Sequence, residues 1–267
     1  MDQNKQKNMW MLARFPFPEN VFEELNEHAY EKFHIKHELT NWDSLYSTNP
    51  KETSKHHPAI MNLEDFGIID DMLKYKTRIL EIGSWNSFIA YYLLLNGNPF
   101  YYGIEPSKEA IEFSEKKLSE VNDQVHFQFQ QNTLENSTYE DNFFDYIISY
   151  DTFEHFKNPM TLLKKTYKWL KPGGITVLAC PNASGFHPRF FGIYKWRMLF
   201  PTHAWLPDKE TLFKAFEFCN LKIEKYFTFG GFKGPRNIIR GVGNKLLKLF
   251  NLGDRIVIMA RKEEHKK

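Results

Sequence analysis

"RILEIGSWNSFIAYYLLLNGNPFYYGIEPS", Arg78 to Ser107, decides how the rest of the chain is read. The apolar run "RILEI" is a buried strand, and "SFIAYYLLLNG" a helix closed by Asn96-Gly97. "FYYGIE" is a second strand, after which Pro106 and Ser107 open the helix "SKEAIEFSEKKLSEV". Ser107 is a cap residue, and Ala110, Ile111, Ser114 and Leu118 form one stripe behind it. The loop between first strand and helix, Gly83-Ser84-Trp85-Asn86-Ser87, stands where nucleotide-binding chains set a row of glycines. Either it is a working ligand loop with altered residues or an ordinary turn.

Downstream the alternation continues. "VHFQFQ" alternates as a half-buried strand, and "FFDYIIS" is a fully apolar one. "NPMTLLKKTYKWLKPGG" is an amphipathic helix that Pro172-Gly173-Gly174 should stop, and "ITVLAC" is a strand. "DKETLFKAFEFCN" is a helix capped by Asp208, followed by the strands "LKIEKYFTF" and "DRIVIMARK". Strands and helices in this order predict a parallel sheet covered on both faces, with an antiparallel ending allowed by the long excursion between the last two strands. Ligands of such sheets bind beyond the carboxyl ends of the strands, which lines up the loops after Ile82, Ile104, Ser149 and Cys180.

Upstream, "PENVFEELNEHAYEKFHIKHEL" predicts one helix, and the pattern Leu63, Phe66, Ile69, Asp70 and Leu73 a second that leads into the core. The expected organisation is an N-terminal helical extension over 1–60, acting as a substrate cap, and a main domain over 61–267 with an insertion at 181–207. At 267 residues and a net charge of +2 the chain can bury one sizeable core, and its charge makes no case for a nucleic-acid partner. Cys180 and Cys219 have no metal-like spacing, which fits a reducing compartment. The N-terminus carries no signal-peptide pattern and no run of eighteen apolar residues occurs, so a cytoplasmic location is expected.

Glu105 ends the second strand and is an acceptor able to hold two neighbouring hydroxyls of a ribose; the alternative is a cap for the helix starting at Ser107. With "ILEIGSWNS", "YYGIEPS", "QNTLE", "FFDYIISYDTFEHFKNP", "LKKTYKWLKPGGITVLACPN" and "GDRIVIMARK" in this order, the chain resembles the class I S-adenosylmethionine-dependent methyltransferases. The likeness is strongest to the bacterial branch around the ubiquinone-biosynthesis O-methyltransferases. That resemblance implies a Rossmann-like α/β fold: a seven-stranded, mostly parallel sheet whose last strand is antiparallel, with helices on both faces and an aromatic cap. It also implies S-adenosyl-L-methionine as cofactor. Glu81, Gly83, Ser84 and Trp85 would form the methionine loop, and Glu105 and Pro106 the ribose end. Asn132, Thr133 and Leu134 would flank the adenine, with Tyr150 and Asp151 at the methionine end. The family has glycine where this chain has Trp85 and Ser87, so the indole either swings out as a lid or fills the methionine space.

In "SYDTFEHFKNP", Asp151, Glu154 and His155 lie at i, i+3 and i+4, and a helical turn would put them on one face. Three readings stay open: a divalent metal site of Asp151, Glu154 and His155, matching the acid-x-x-Glu-His segment of the metal-using ubiquinone-pathway enzymes; catalysis by His155 as base or orienter with Glu154; or a structural role. The resemblance places acceptor recognition in the loop after the fifth strand, with candidates His187, Arg189, Tyr194, Trp196, Arg197, His203 and Trp205. The same aromatics could instead be the core of a small helical cap. "FFGIYKWRMLF" and "RNIIRGVGNKLLKLFNLG" mix aromatic, aliphatic and basic residues as interfacial helices do, so peripheral membrane contact stands beside packing on the sheet edge. His56-His57-Pro58 has no ligand pattern. The expected activity is O-methylation of a small-molecule or lipid/glycan-linked acceptor. The rivals are N-methylation, a cofactor-degenerate binding module, and a nicotinamide-dependent oxidoreductase, which the glycine-poor loop disfavours.

Overall fold

The computed structural model describes residues 57–97, 99–121, 125–156, 158–192, 203–231 and 238–263. The helix expected over "PENVFEELNEHAYEKFHIKHEL", His56, and Tyr194, Trp196 and Arg197 lie outside them. In chain order come α1 (Pro58–Phe66), α2 (Ile69–Met72), β1 (Arg78–Ile82), α3 (Phe88–Asn96), β2 (Phe100–Glu105), α4 (Lys108–Ser119), β3 (His126–Gln131) and β4 (Phe144–Tyr150). A 3₁₀ turn (Phe153–His155) leads to α5 (Pro159–Trp169), β5 (Leu170–Pro181), α6 (Phe186–Phe191), α7 (Lys209–Phe218), β6 (Leu221–Phe229), α8 (Ile238–Leu249) and β7 (Arg255–Lys262).

The seven strands form one sheet in the order β3-β2-β1-β4-β5-β7-β6. Neighbours are parallel from β3 to β5, and β7 runs antiparallel to both β5 and β6. The central strands are buried on both faces, which is why they read as unbroken apolar runs. Leu80, Ile82 and Ile147 pack with Leu162, Leu163 and Phe216 on one face. Ile79, Tyr146 and Ile148 pack with Leu63, Phe88 and Leu93 on the other. The order reverses direction between β1 and β4, and the carboxyl ends of β1, β2, β4 and β5 share one edge.

Three local expectations are corrected. The helix leading into the core is two short ones, because Pro58 starts α1 and Gly67, at φ 74°, ends it. His57 caps α1, its Nδ1 accepting from the Ala59 N–H at 3.3 Å, and burial pushes its imidazole down to about 4. Gly97 closes α3 in extended rather than left-handed backbone. Its value there is space, since a Cβ would fall on the Leu73 backbone. Finally, Pro172-Gly173-Gly174 does not stop α5, which ends at Trp169; the three residues lie inside β5, where the pairing with β4 shifts register between Phe144 and Tyr146.

Candidate active site

The loop after β1 keeps the backbone of a glycine-rich turn without its glycines. Gly83, Trp85 and Ser87 have φ of 73°, 45° and 53°, alternate left-handed residues in a single turn. For Trp85 and Ser87 that conformation costs on the order of 1 kcal/mol each. Surrounding bonds hold it. The Trp85 N–H donates to Glu105 Oε2 at 2.9 Å, and the Trp85 carbonyl accepts from the Ser114 hydroxyl of α4 at 3.1 Å. Gly83 and Ser84 both donate to the Ile104 carbonyl, and the Ser87 N–H donates to the Ser84 carbonyl at 2.7 Å. Gly83 lies so close to Thr152 that a Cβ would fall on the threonine side chain. Ser84 is buried and Trp85 half-buried.

Glu105 combines the two possibilities open for it. Fully buried, it accepts from the Ser107 N–H through Oε1 at 3.0 Å and from Trp85 through Oε2, so it caps the start of α4 and ties the first loop to the second. Burial raises its pKa while the two N–H donors oppose the rise. Pro106 beside it is exposed. Glu81 points to the same edge, buried, with Tyr101 donating its hydroxyl to the carboxylate. Burial pushes Glu81 up to about 8, against the tyrosine hydrogen bond and with a smaller push from Glu105.

After β3, the Asn132 N–H donates to the Glu105 carbonyl at 3.2 Å, and its side-chain Oδ1 accepts from Thr133 at 3.0 Å. Thr133 is exposed and Leu134 buried in the core. The Lys165 ammonium of α5 gathers the carbonyls of Leu134, Glu135 and Ser137 at 2.7 to 2.8 Å, fixing this segment from below. Nothing in the local sequence announces that clamp, since the lysine sits some thirty residues away on another helix.

At the end of β4 the arrangement departs from the expected helical face. Tyr150 reaches across to α1, its hydroxyl donating to the Ala59 carbonyl at 3.3 Å. Asp151 is left-handed, at φ 48°, and pairs with Arg255 of β7 at 2.9 Å. It precedes the 3₁₀ turn that Glu154 and His155 occupy, so the three do not share one helical face. Among the described residues the group with metal-like spacing is therefore not Asp151, Glu154 and His155 but Glu154, His155 and His203, whose ligand atoms lie within 4.8 Å of one another. His203 arrives because the Trp205 N–H donates to the Glu154 carbonyl at 3.0 Å, pinning the returning loop to the turn. Its Nε2 then lies 3.9 Å from Glu154 Oε1, and the His155 and His203 rings meet edge to face at 4.8 Å. Glu154 is fully buried and neither carboxylate oxygen has a hydrogen bond. Burial, reinforced by Asp151, drives its pKa well above the usual carboxylate range.

The other acceptor-side candidates scatter. His187 pairs through Nδ1 with the buried Asp254 at 2.8 Å and so stitches α6 to the start of β7. Arg189 is exposed, while Trp205 packs against the core. Arg255, Thr152, Ser114 and Lys165 are the residues that sequence reasoning missed. A salt bridge or clamp across the sheet leaves no periodic signal.

This sheet order, with an acid closing each of β1 and β2 beside a tight left-handed loop, defines the class I methyltransferase fold. Residues 80–178 match the family model of the methyltransferase domain, a class whose cofactor is S-adenosylmethionine. Phosphoethanolamine N-methyltransferase 3 of Arabidopsis thaliana is 28% identical over 140 residues, 52% of this chain and 26% of that protein. Phosphoethanolamine N-methyltransferase of Triticum aestivum is 30% identical over 133 residues, 50% of this chain and 24% of that protein. The chain thus spans about a quarter of the length of these curated relatives. A solved methyltransferase from Thermotoga maritima superposes with a TM-score of 0.54 at 20% identity, covering 91% of this chain and all of that one. One from Mesorhizobium loti gives 0.55 at 13%, covering 74% and 97%. At such identities the likeness is one of fold.

Proposed function

We infer that the protein transfers a methyl group from S-adenosylmethionine to a heteroatom of a small polar acceptor. The observation that carries this reading is the bond from the Trp85 N–H to Glu105, which holds three left-handed residues against a buried acid at the switch point of the sheet. The residues fit the cofactor. Gly83 takes the left-handed turn with no Cβ to strike Thr152, Glu105 offers lone pairs beyond those its two N–H donors use, and the carboxyl groups of Glu81, Glu105 and Asp151 offer acceptors along the edge to the ammonium and hydroxyls of such a ligand. Gly83, Ser84 and Trp85 would line the methionine portion with Glu81 near its ammonium. Glu105 and Pro106 would hold the ribose, Asn132, Thr133 and Leu134 the adenine, and Asp151 and Tyr150 the methionine end of the pocket. The bound cofactor supplies an electrophilic methyl, so the protein's work is alignment.

On the acceptor side, Glu154, His155 and His203 form a proton-accepting group. The imidazole of His155 takes the acceptor's proton, with His203 packed edge to face against it and the buried Glu154 carboxyl beside both. This chemistry suits a hydroxyl, whose proton must leave for the oxygen to attack, and it agrees with the D-x-x-E-H resemblance to O-methyltransferases. The named relatives support a second reading, an amine acceptor. A divalent cation would fit between Glu154, His155 and His203 rather than on Asp151; it would polarise the acceptor oxygen. Titration with S-adenosylhomocysteine, followed by a methyl-transfer assay on paired hydroxyl and amine acceptors with and without chelator, tests each part. Binding with transfer to the amine alone would leave only the second reading.

A further inference from the structure

The ion pair of Asp151 with Arg255 is incomplete on both sides. Arg255 Nη2 lies 2.9 Å from Asp151 Oδ2, and the two side chains are 34% and 38% exposed. A carboxylate facing a guanidinium frequently takes it with both oxygens. Here Asp151 Oδ1 is buried and has no hydrogen-bond partner among the described residues. The pair engages one nitrogen of a group that carries five N–H donors. An acceptor and several donors therefore stand side by side, partly open, at the end of β4.

Backbone bonds fix where they stand. The Asp151 N–H donates to the Ala179 carbonyl of β5 at 2.9 Å, and Arg255 opens β7 opposite Pro181, the last residue of β5. Tyr150, next to Asp151, is tied to the Ala59 carbonyl of α1, and His57, the cap of that helix, packs its ring on Phe88 at 4.2 Å. Phe88 is the first residue of α3 and directly follows the loop from Gly83 to Ser87. The pair thus lies at the edge shared by that loop, α1 and the ends of β4 and β5. Its neighbours feel the guanidinium. Burial and, after it, the Arg255 charge hold His57 at about 4. Burial raises Glu154 and the Cys180 thiol, and in both cases Arg255 opposes the rise. A cation that stays charged at any working pH therefore faces acids and a neutral imidazole.

We propose that Arg255 is the anion-binding residue of the site: its guanidinium fork receives a carboxylate or phosphate group of a bound ligand, while Asp151 Oδ1 accepts from an ammonium beside that group. A ligand with both charges on one short segment matches the pair group for group. Two sources offer that chemistry, the amino-acid end of the cofactor and an acceptor that bears an acid group. The inference rests on the methyltransferase reading for the identity of the cofactor. To that reading it adds a binding residue from β7, the strand farthest along the sheet from the glycine-poor loop that still reaches this edge through Asp151.

Calorimetry on the full chain with S-adenosylhomocysteine and its decarboxylated analogue, in which hydrogen replaces the carboxylate, tests the first source. The wild type should prefer the carboxylate-bearing ligand about tenfold or more. Arg255→Gln should lose that preference with affinity for the analogue unchanged, which also shows the variant to be folded. Arg255→Lys, which keeps the charge without the fork, should keep part of the preference and serves if the glutamine variant does not fold. Thermal melts of the S-adenosylhomocysteine complex in phosphate or acetate, against chloride at equal ionic strength, test the second source. Stabilisation by either anion that Arg255→Gln abolishes, with the ligand preference intact, assigns the residue to an acid group on the acceptor. The same ligand ratio in wild type and both variants, with no anion effect that depends on Arg255, overturns the inference and leaves the methyltransferase reading standing. A wild type that binds neither adenosyl compound sinks both.

Discussion

The two halves of the candidate site are built by opposite means. Toward β1 and β2, buried carboxylates are anchored by hydrogen bonds: Glu105 accepts two backbone N–H groups and Glu81 a tyrosine hydroxyl. Toward β4 and β5, Glu154 is as deeply buried, yet neither carboxylate oxygen is hydrogen-bonded, and two imidazoles and Asp151 lie nearby. An anchored half is held in one geometry, which suits a constant ligand. An unanchored one holds a carboxyl whose burial favours its proton, which leaves the group able to give that proton up when a partner arrives. The lesson is that burial alone says little about a carboxylate's job, whereas its partners say a good deal.

Substitutions can break the contrast. Gly83→Val should have the largest effect, because the left-handed backbone and the Thr152 contact both forbid it; a loss of about 3 kcal/mol in stability and on the order of 100-fold in S-adenosylhomocysteine affinity is expected, read by thermal melts and calorimetry. Glu105→Ala comes next. It strands the N–H groups of Trp85 and Ser107, so it should cost about 2 kcal/mol of stability and much of the affinity, with Glu105→Gln partly restoring both. His203→Ala should instead lower kcat roughly 10- to 100-fold while leaving cofactor affinity intact, which would show that the halves work separately.

How far the sequence reached follows the same division. β1, β2 and Glu105 were legible because a strand, its terminal acid and the next cap are neighbours in the chain. Glu154 and His155 were legible as a pair, but their third partner, His203, comes from some fifty residues downstream, and the bond that delivers it, Trp205 N–H to the Glu154 carbonyl, is made by backbone and is blind to residue type. Asp151 misled because residue spacing carries no φ: a left-handed turn hands it to Arg255 on another strand. Pro172-Gly173-Gly174 reads as a helix stop, yet the α5 backbone turns extended at Leu170, before the breakers are reached.

Smaller effects sharpen the comparison. Glu81, raised to about 8, keeps a proton in the folded state that the unfolded chain has released above its ordinary value of 4.5. The folded state binds more protons over that window, so this group lowers stability as pH rises from about 4.5 to 8. Glu81→Gln should flatten that decline in melts run across the range. Trp85→Gly should change least: relief of about 1 kcal/mol of left-handed strain is offset by loss of indole packing, and the net sign reports which is larger.

The central claim is that the strained loop held against Glu105 is a working adenosyl-ligand site. Calorimetric titration of the protein with S-adenosylhomocysteine addresses it directly. Saturable one-site binding with a Kd on the order of micromolar, abolished in Glu105→Ala, is the expected result. A flat titration at millimolar ligand with the protein folded would contradict it.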